Sequence, residues 1–289
     1  MKTIITTFPF YADFSNLNVV YKNDTKKHTQ EEIKNILSKY NPECIIAGTE
    51  KYGEEELDLC PNLKVISRVG VGTSSIDNKA CKKRGIKILN TPSAPSSSVA
   101  EFTVSLILCM IKKLYKQDVY NWEKHLCKDL TELSIGIVGY GRIGRLVKSK
   151  IQSFNPKNVI IHDPFYENNY LELETVFKKS DIITFHIPEI QDKITHKDFK
   201  KMKKNVVLIN TSRGSIFNEE DLFKFLQETP LASAALDVFE EEPTTNKKLL
   251  QLPNIFATPH VASFSEESRK KMEKESIENI ISYVRGSRK

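Results

Sequence analysis

The sequence predicts an α/β protein whose parallel sheets carry helices on both faces. Three observations predict it. Short apolar runs alternate with helix-patterned segments along the chain. Several of these runs are apolar at every position, as strands covered on both faces must be. Three runs in the second half end abruptly in polar clusters, and the carboxyl ends of strands line the ligand crevice of an open parallel sheet. At about 150 residues per domain, 289 residues make roughly two domains.

Taken in order, the candidate strands are Lys2–Thr6, Asn18–Tyr21, Cys44–Ala47, Val65–Arg68 and Ile86–Leu89, then Ser134–Val138, Val159–His162, Ile182–Phe185, Val206–Asn210, Ala232–Leu236 and Ile255–Ala257. Between them Gln30–Tyr40, Arg142–Ser153, Leu171–Lys178 and Glu219–Glu228 read as helices; in the first, Ile33, Ile36, Leu37 and Tyr40 recur at helical spacing. Two longer helices are expected at Ser98–Leu114 and Glu266–Val284. The first follows Thr91-Pro-Ser-Ala-Pro-Ser-Ser97, a Pro/Ser stretch that breaks regular structure. The chain is expected to cross between domains at each helix, giving one domain from 1–97 and 264–289 and a second, inserted domain from 98–263. The alternative is one large domain with two surface helices.

Composition excludes several classes. Hydrophobic residues make up 39% and charged residues 28%, which excludes a disordered or fibrous chain. The net charge of +6 comes from 35 Lys and 8 Arg spread along the sequence. With no Arg cluster and no basic segment interleaved with aromatics, this reads as a solvated surface, and no nucleic-acid partner is expected. The five cysteines are odd in number and none sits at CxxC spacing, so neither a disulfide framework nor a metal site is expected, and a reducing compartment fits. The start, MKTIITTFPF, lacks the apolar stretch of a signal peptide, and Val99–Ile111 contains Glu101 and is too short to span a bilayer. A cytoplasmic protein without a membrane partner is expected.

The strongest motif is Gly139-Tyr-Gly-Arg-Ile-Gly144, a GxGxxG that follows the apolar strand Ser134–Val138 and opens a helix. In that context Gly139 permits the tight turn, Gly141 lets the backbone approach a pyrophosphate, and Gly144 lets helix and strand pack closely. The helix N-terminus offers free N–H groups to phosphate. Asp163 ends the next strand 19 residues after Gly144, near the spacing at which a carboxylate accepts from a ribose 2′-hydroxyl and repels a 2′-phosphate. NAD is therefore expected over NADP. Downstream, Asn210-Thr-Ser-Arg-Gly214, Asp237-Val-Phe-Glu-Glu-Glu-Pro243 and Thr258-Pro-His-Val-Ala-Ser263 each follow an apolar strand. An Arg, a carboxylate and a His beside a nicotinamide suit hydride transfer to a 2-oxo acid. Arg213 would grip a carboxylate bidentately and polarise the neighbouring carbonyl. His260 would pass the proton, and Glu242 would orient the ring and stabilise its charged form.

These segments, with Arg68-Val-Gly-Val-Gly-Thr-Ser-Ser-Ile-Asp77, Asn90-Thr-Pro92 and Ser98-Val-Ala-Glu101, resemble the D-isomer-specific 2-hydroxyacid dehydrogenases, and within them the D-3-phosphoglycerate dehydrogenase branch. The likeness runs from about Lys64 to the last helix. It implies two Rossmann-like domains with parallel sheets: a cofactor domain inserted into a flavodoxin-like substrate domain, with the active site in the cleft between them. It implies Arg213, Glu242 and His260 as catalytic residues. Arg142 and Ile143 would lie along the pyrophosphate, and Thr211, Asp237 and Ser263 along the nicotinamide. Gly70, Val71 and Gly72 would offer N–H groups to the substrate carboxylate, and Arg68 would reach a substrate phosphate. It also implies a homodimer formed through the Ser98–Leu114 region. The resemblance leads to 3-phosphoglycerate and phosphohydroxypyruvate as the substrate pair, with glyoxylate or hydroxypyruvate as the alternative. After Cys44–Ala47 the chain reads Gly48-Thr-Glu50, where some phosphoglycerate enzymes carry a second arginine; Lys51 is the available substitute. Serine feedback through an added C-terminal domain is not expected. Two competing classes are a non-catalytic NAD-sensing protein on the same scaffold, which could dispense with the Arg/Glu/His set, and a methyltransferase using the glycine turn, which leaves that set unexplained.

Overall fold

Five apolar segments near the N-terminus pair side by side in parallel. They are β1 (Lys2–Ile5), β2 (Asn18–Lys22), β3 (Cys44–Ala47), β4 (Val65–Arg68) and β5 (Lys87–Leu89), interleaved with α1 (Gln30–Tyr40), α2 (Glu54–Asp58) and α3 (Asn78–Lys83). The computed structural model from which this follows describes residues 1–92, 95–117, 120–166, 171–188 and 193–286; Ser93 and Ala94 of the Pro/Ser loop lie outside them. The sheet order is β2-β1-β3-β4-β5, the flavodoxin-like winding, whose switch point lies between β1 and β3. Thr29 starts α1 with a capping box: its hydroxyl accepts from Glu32 N at 3.3 Å, and Glu32 Oε2 accepts from Thr29 N at 2.8 Å.

The chain continues through α4 (Ser96–Ile111), β6 (Ser134–Val138), α5 (Arg142–Gln152), β7 (Asn158–His162), α6 (Leu173–Lys179), β8 (Ile182–Phe185), α7 (His196–Phe199), β9 (Val207–Asn210), α8 (Glu219–Glu228), β10 (Ser233–Leu236), α9 (Lys247–Leu250) and β11 (Ile255–Ala257). Its strands form a second parallel sheet, β11-β10-β9-β8-β6-β7. The winding reverses between β6 and β8, so the glycine turn after β6 stands at this sheet's switch point. Pleating sends alternate side chains to opposite faces. Ile135 and Ile137 pack with Val147 of α5 and Ile107 of α4, while Val138, Ile183 and Phe185 join Phe199, Phe217 and Phe225 on the other face. α10 (Glu266–Gly286) closes the chain.

Two compact units result, Met1–Pro95 with Phe264–Lys289, and Ser96–Ser263. The expected helix Ser98–Leu114 begins at Ser96 and ends at Ile111. Lys113, at φ +50°, then turns the chain into a short 3₁₀ helix, Leu114–Lys116. Ile86, Val206 and Ala232 each precede rather than begin their strands.

α10 belongs to the first sheet. Its Met272, Ile277 and Ile280 pack on Ile5, Ile46, Val65 and Val69. On the same helix Arg269 Nε donates to Glu273 Oε1 at 2.7 Å, one turn away. Glu273 is fully buried, and its Oε2 accepts from Tyr11 N (2.7 Å) and Ala12 N (2.9 Å). Arg269 Nη2 donates to Thr7 Oγ1 at 2.8 Å and also to the Pro9 carbonyl. The pair thus fixes the loop that follows β1. Removing one member of a buried pair strands the other charge. Glu273→Ala is expected to lower stability by about 3–5 kcal/mol, measured by urea unfolding.

Candidate active site

Each sheet strand of the second unit delivers its functional residues from its carboxyl end. After β6, Gly139 takes φ +92°, a conformation that favours glycine. A Cβ on Gly144 would lie 2.1 Å from the Gly139 carbonyl oxygen, so helix and turn meet at a distance only glycine allows. Around Gly141 nothing lies within 4 Å of where a Cβ would be, and α5 starts there without a side-chain cap. Its first N–H groups are left for an anion. Arg142 and Ile143 form the first turn of α5. At the end of β7, Asp163 Oδ2 accepts from Tyr140 N at 2.7 Å and Oδ1 from Phe165 N at 2.9 Å. The acid is held against the glycine turn, and a dinucleotide fits this cradle.

The chemistry gathers at β9, β10 and β11. At the end of β9, buried Asn210 makes an Asx turn: its Oδ1 accepts from Ser212 N and Ser212 Oγ, both at 3.0 Å, and its Nδ2 donates to Arg213 O at 2.8 Å. Arg213 Nη1 donates to Ser212 O at 2.6 Å. A Cβ on Gly214 would fall 1.9 Å from Phe239 C. The Arg213 turn therefore lies hard against the loop that carries Glu242. Glu219 at the start of α8 holds that loop from behind, accepting from Glu240 N at 2.7 Å and Asn246 Nδ2 at 2.8 Å.

Glu242 and His260 are in direct contact: His260 Nδ1–H donates to Glu242 Oε2 at 2.6 Å. Glu242 Oε1 also accepts from Phe239 N at 3.1 Å. Burial pushes the Glu242 carboxyl up, but the His260 hydrogen bond and charge, the Phe239 N–H and the Arg213 charge together hold it below the usual carboxylate range. Arg213, Glu242 and His260 thus form one electrostatic unit, assembled from residues 18 to 47 positions apart in sequence.

His260 sits at φ +54°, and the strain is held in place by Asp237. This carboxylate is wholly buried. It accepts from Thr258 Oγ1 (2.6 Å), Val261 N (2.8 Å) and Ala262 N (2.9 Å). Sequence reasoning read Asp237 only as a nicotinamide contact; here it anchors the turn that aims His260. Thr211 bonds Thr103 of α4 at 2.8 Å, Ser98 Oγ donates to Ala262 O at 2.8 Å, and Ser263 is the last residue of the unit. Of the first-unit candidates, Arg68 Nη1 donates to Val69 O at 2.5 Å. Gly70 N donates to Thr91 Oγ1 at 2.7 Å, and Val71 O accepts from Asn90 Nδ2 at 2.7 Å. Gly72 continues this loop after β4.

The chain is similar to proteins of known family. The family description "D-isomer specific 2-hydroxyacid dehydrogenase, NAD binding domain" matches residues 104–262. Hydroxypyruvate reductase of Thermotoga maritima is 34% identical over 276 residues, 89% of each chain. The chain belongs to the D-isomer-specific 2-hydroxyacid dehydrogenase family. D-3-phosphoglycerate dehydrogenase of Methanocaldococcus jannaschii is 32% identical over 89% of this chain but only 52% of its own length. The solved D-lactate dehydrogenase of Aquifex aeolicus, complexed with NAD and lactic acid, superposes with a TM-score of 0.83 at 28% identity, covering 99% of this chain and 96% of that one. This family member is an NAD-dependent dehydrogenase of the two-domain, Rossmann-like fold.

Sequence reasoning passed over His186, at the end of β8. Its Nε2 meets Thr184 Oγ1 at 3.0 Å, and its backbone crowds Gly139. Burial drives the ring's pKa down to about 3. The unfolded chain, with an ordinary His pKa of about 6.5, binds a proton there that the folded chain refuses. Stability is therefore lost as pH falls from about 6.5 toward 3, by at most about 1.4 kcal/mol per pH unit, and by less because the residue as a whole is only half-buried. Urea unfolding of His186→Gln is expected to show a shallower loss between pH 6.5 and 5 than the wild type. Asp163→Ala is expected to weaken NADH binding and narrow the preference over NADPH, read by fluorescence titration with both cofactors.

Proposed function

We propose that Arg213, Glu242 and His260 carry hydride transfer on a short-chain 2-oxo acid. The observation that carries this reading is the 2.6 Å His260–Glu242 bond within reach of the Arg213 charge. Gly139, Gly141, Arg142, Ile143, Gly144 and Asp163 would hold NAD(H), which would supply or accept the hydride. Arg213 pairs with the substrate carboxylate and stabilises the charge that grows on the 2-oxygen during reduction. Because Nδ1–H of His260 faces Glu242, Nε2 is the atom that gives this oxygen its proton, and takes it back in oxidation. An ionised Glu242 stabilises the imidazolium form the proton donor needs.

Hydroxypyruvate and glyoxylate are the leading oxo acids, supported by the coverage of the hydroxypyruvate reductase relative. A second reading, phosphohydroxypyruvate and 3-phosphoglycerate, is favoured by Arg68 and by the phosphoglycerate dehydrogenase relative. We further propose a cytoplasmic homodimer. All five cysteines are free thiols, and no helix of the described residues is long and apolar enough to cross a membrane. Leu114, Tyr120, Trp122 and Leu126, just beyond α4, expose large apolar surfaces.

An NADH-oxidation assay over glyoxylate, hydroxypyruvate and phosphohydroxypyruvate tests the function. At least one should turn over, and His260→Ala should lower kcat by about 10²–10⁴. Near-normal turnover of the variant would remove His260 from the mechanism, and NADH binding without turnover of any oxo acid would favour a sensing protein.

A further inference from the structure

Threonine is a poor choice for the interior of a buried helix. Its branched side chain loses rotamer freedom there, and a bond from its hydroxyl back to the carbonyl four residues earlier slightly destabilises the helix. α4 nevertheless carries Thr103, wholly buried, among the buried residues Ala100, Val104 and Ile107. Its Oγ1 donates to Val99 O at 2.7 Å and meets Thr211 Oγ1 at 2.8 Å. A carbonyl can only accept, so the Thr103 proton is committed to Val99 and the proton between the two hydroxyls comes from Thr211. Thr211, the first residue beyond β9, is thereby tethered to the helix. Near the start of the same helix, Ser98 Oγ donates to Ala262 O at 2.8 Å.

The two tethers end beside the two groups proposed to act on one substrate oxygen. Thr211 precedes Ser212 and Arg213 in the turn shaped by Asn210, and Ala262 follows His260 and Val261 in the turn held by Asp237. Asn210 and Asp237 each shape a turn from within, whereas α4 ties one turn to the other. β10 separates β9 from β11, which puts those strands about 9.5 Å apart. Residues 98 and 103 lie about 7.5 Å apart along the helix axis, so one helix has the reach to hold both. Its seat is firm: Ala100, Val104 and Ile107 pack with Ile135 and Ile137 of β6, Ile209 of β9 and Ala235 of β10.

We propose that Ser98 and Thr103 are positioning residues for the oxo-acid reaction, through which α4 holds the Arg213 turn and the His260 turn at one fixed spacing. This rests on the proposed hydride-transfer chemistry and deepens it. In that chemistry the guanidinium stabilises charge on the 2-oxygen while the imidazole protonates the same oxygen, so both groups must reach one atom at once. A misplacement of about 1 Å, introduced far from the reacting atoms, can cost about 10²-fold in rate. Neither hydroxyl has to touch substrate or cofactor: Thr103 acts through Thr211, and Ser98 acts through the Ala262 carbonyl. The helix stability forgone at Thr103 is offset by precision at the strand ends.

The test measures kcat, KM for NADH and Tm for the wild type, Ser98→Ala, Thr103→Val and the double variant, on the oxo acid the wild type reduces best and well below every Tm. Thr103→Val removes the hydroxyl and keeps the branching. Each single variant should lower kcat about tenfold and the double about 10²-fold, while KM for NADH changes little. Thr103→Ser and Ser98→Thr, which keep the hydroxyls, should restore most of kcat. A merely structural role would lower Tm and leave kcat of the folded enzyme unchanged; that result, or a loss confined to KM for NADH, overturns the proposal. If the wild type reduces no oxo acid, the function proposed above fails, and the positioning is read instead by NMR from the proton on His260 Nδ1. A shifted signal in Ser98→Ala supports the tether, and an unmoved one sinks it.

Discussion

The second unit depends on one buried anion, Asp237. A carboxylate without water must recover its hydration from the protein. Asp237 does so with a hydroxyl and two backbone N–H groups from a single turn, Thr258–Ala262. Hydrogen bonds to a charged group contribute about 1.5–3 kcal/mol each, while a left-handed non-glycine residue costs of order 1–3 kcal/mol. Three such bonds outweigh the backbone strain at His260, so the imidazole is held where a relaxed chain would not place it. The same turn is gripped from α4 through Ser98.

The remaining supports follow the same logic of strand ends tied loop to loop. Asn210 shapes the Arg213 turn, Gly214 lets that turn press on Phe239, and Glu219 fastens the stretch from Glu240 to Asn246. None of these residues needs to touch substrate. Each removes a degree of freedom from one that is proposed to, which is how a site drawn from three separate strands acquires fixed geometry.

What could be read from the sequence was what local chemistry determines. The continuously apolar strands and the long helices were legible because burial on both faces and the 3.6-residue period leave local traces. Segments as short as Glu54–Asp58 and Lys247–Leu250 complete hardly a turn, so no period marks them. The glycine turn and Asp163 were legible because the backbone approach they serve dictates residue type and spacing. The anchoring role of Asp237 was not, because its donors lie 21 to 25 residues away and two of them are backbone groups, which no side-chain pattern announces. His186 was obscured for a related reason: it continues an apolar strand, and its depressed basicity comes from burial alone.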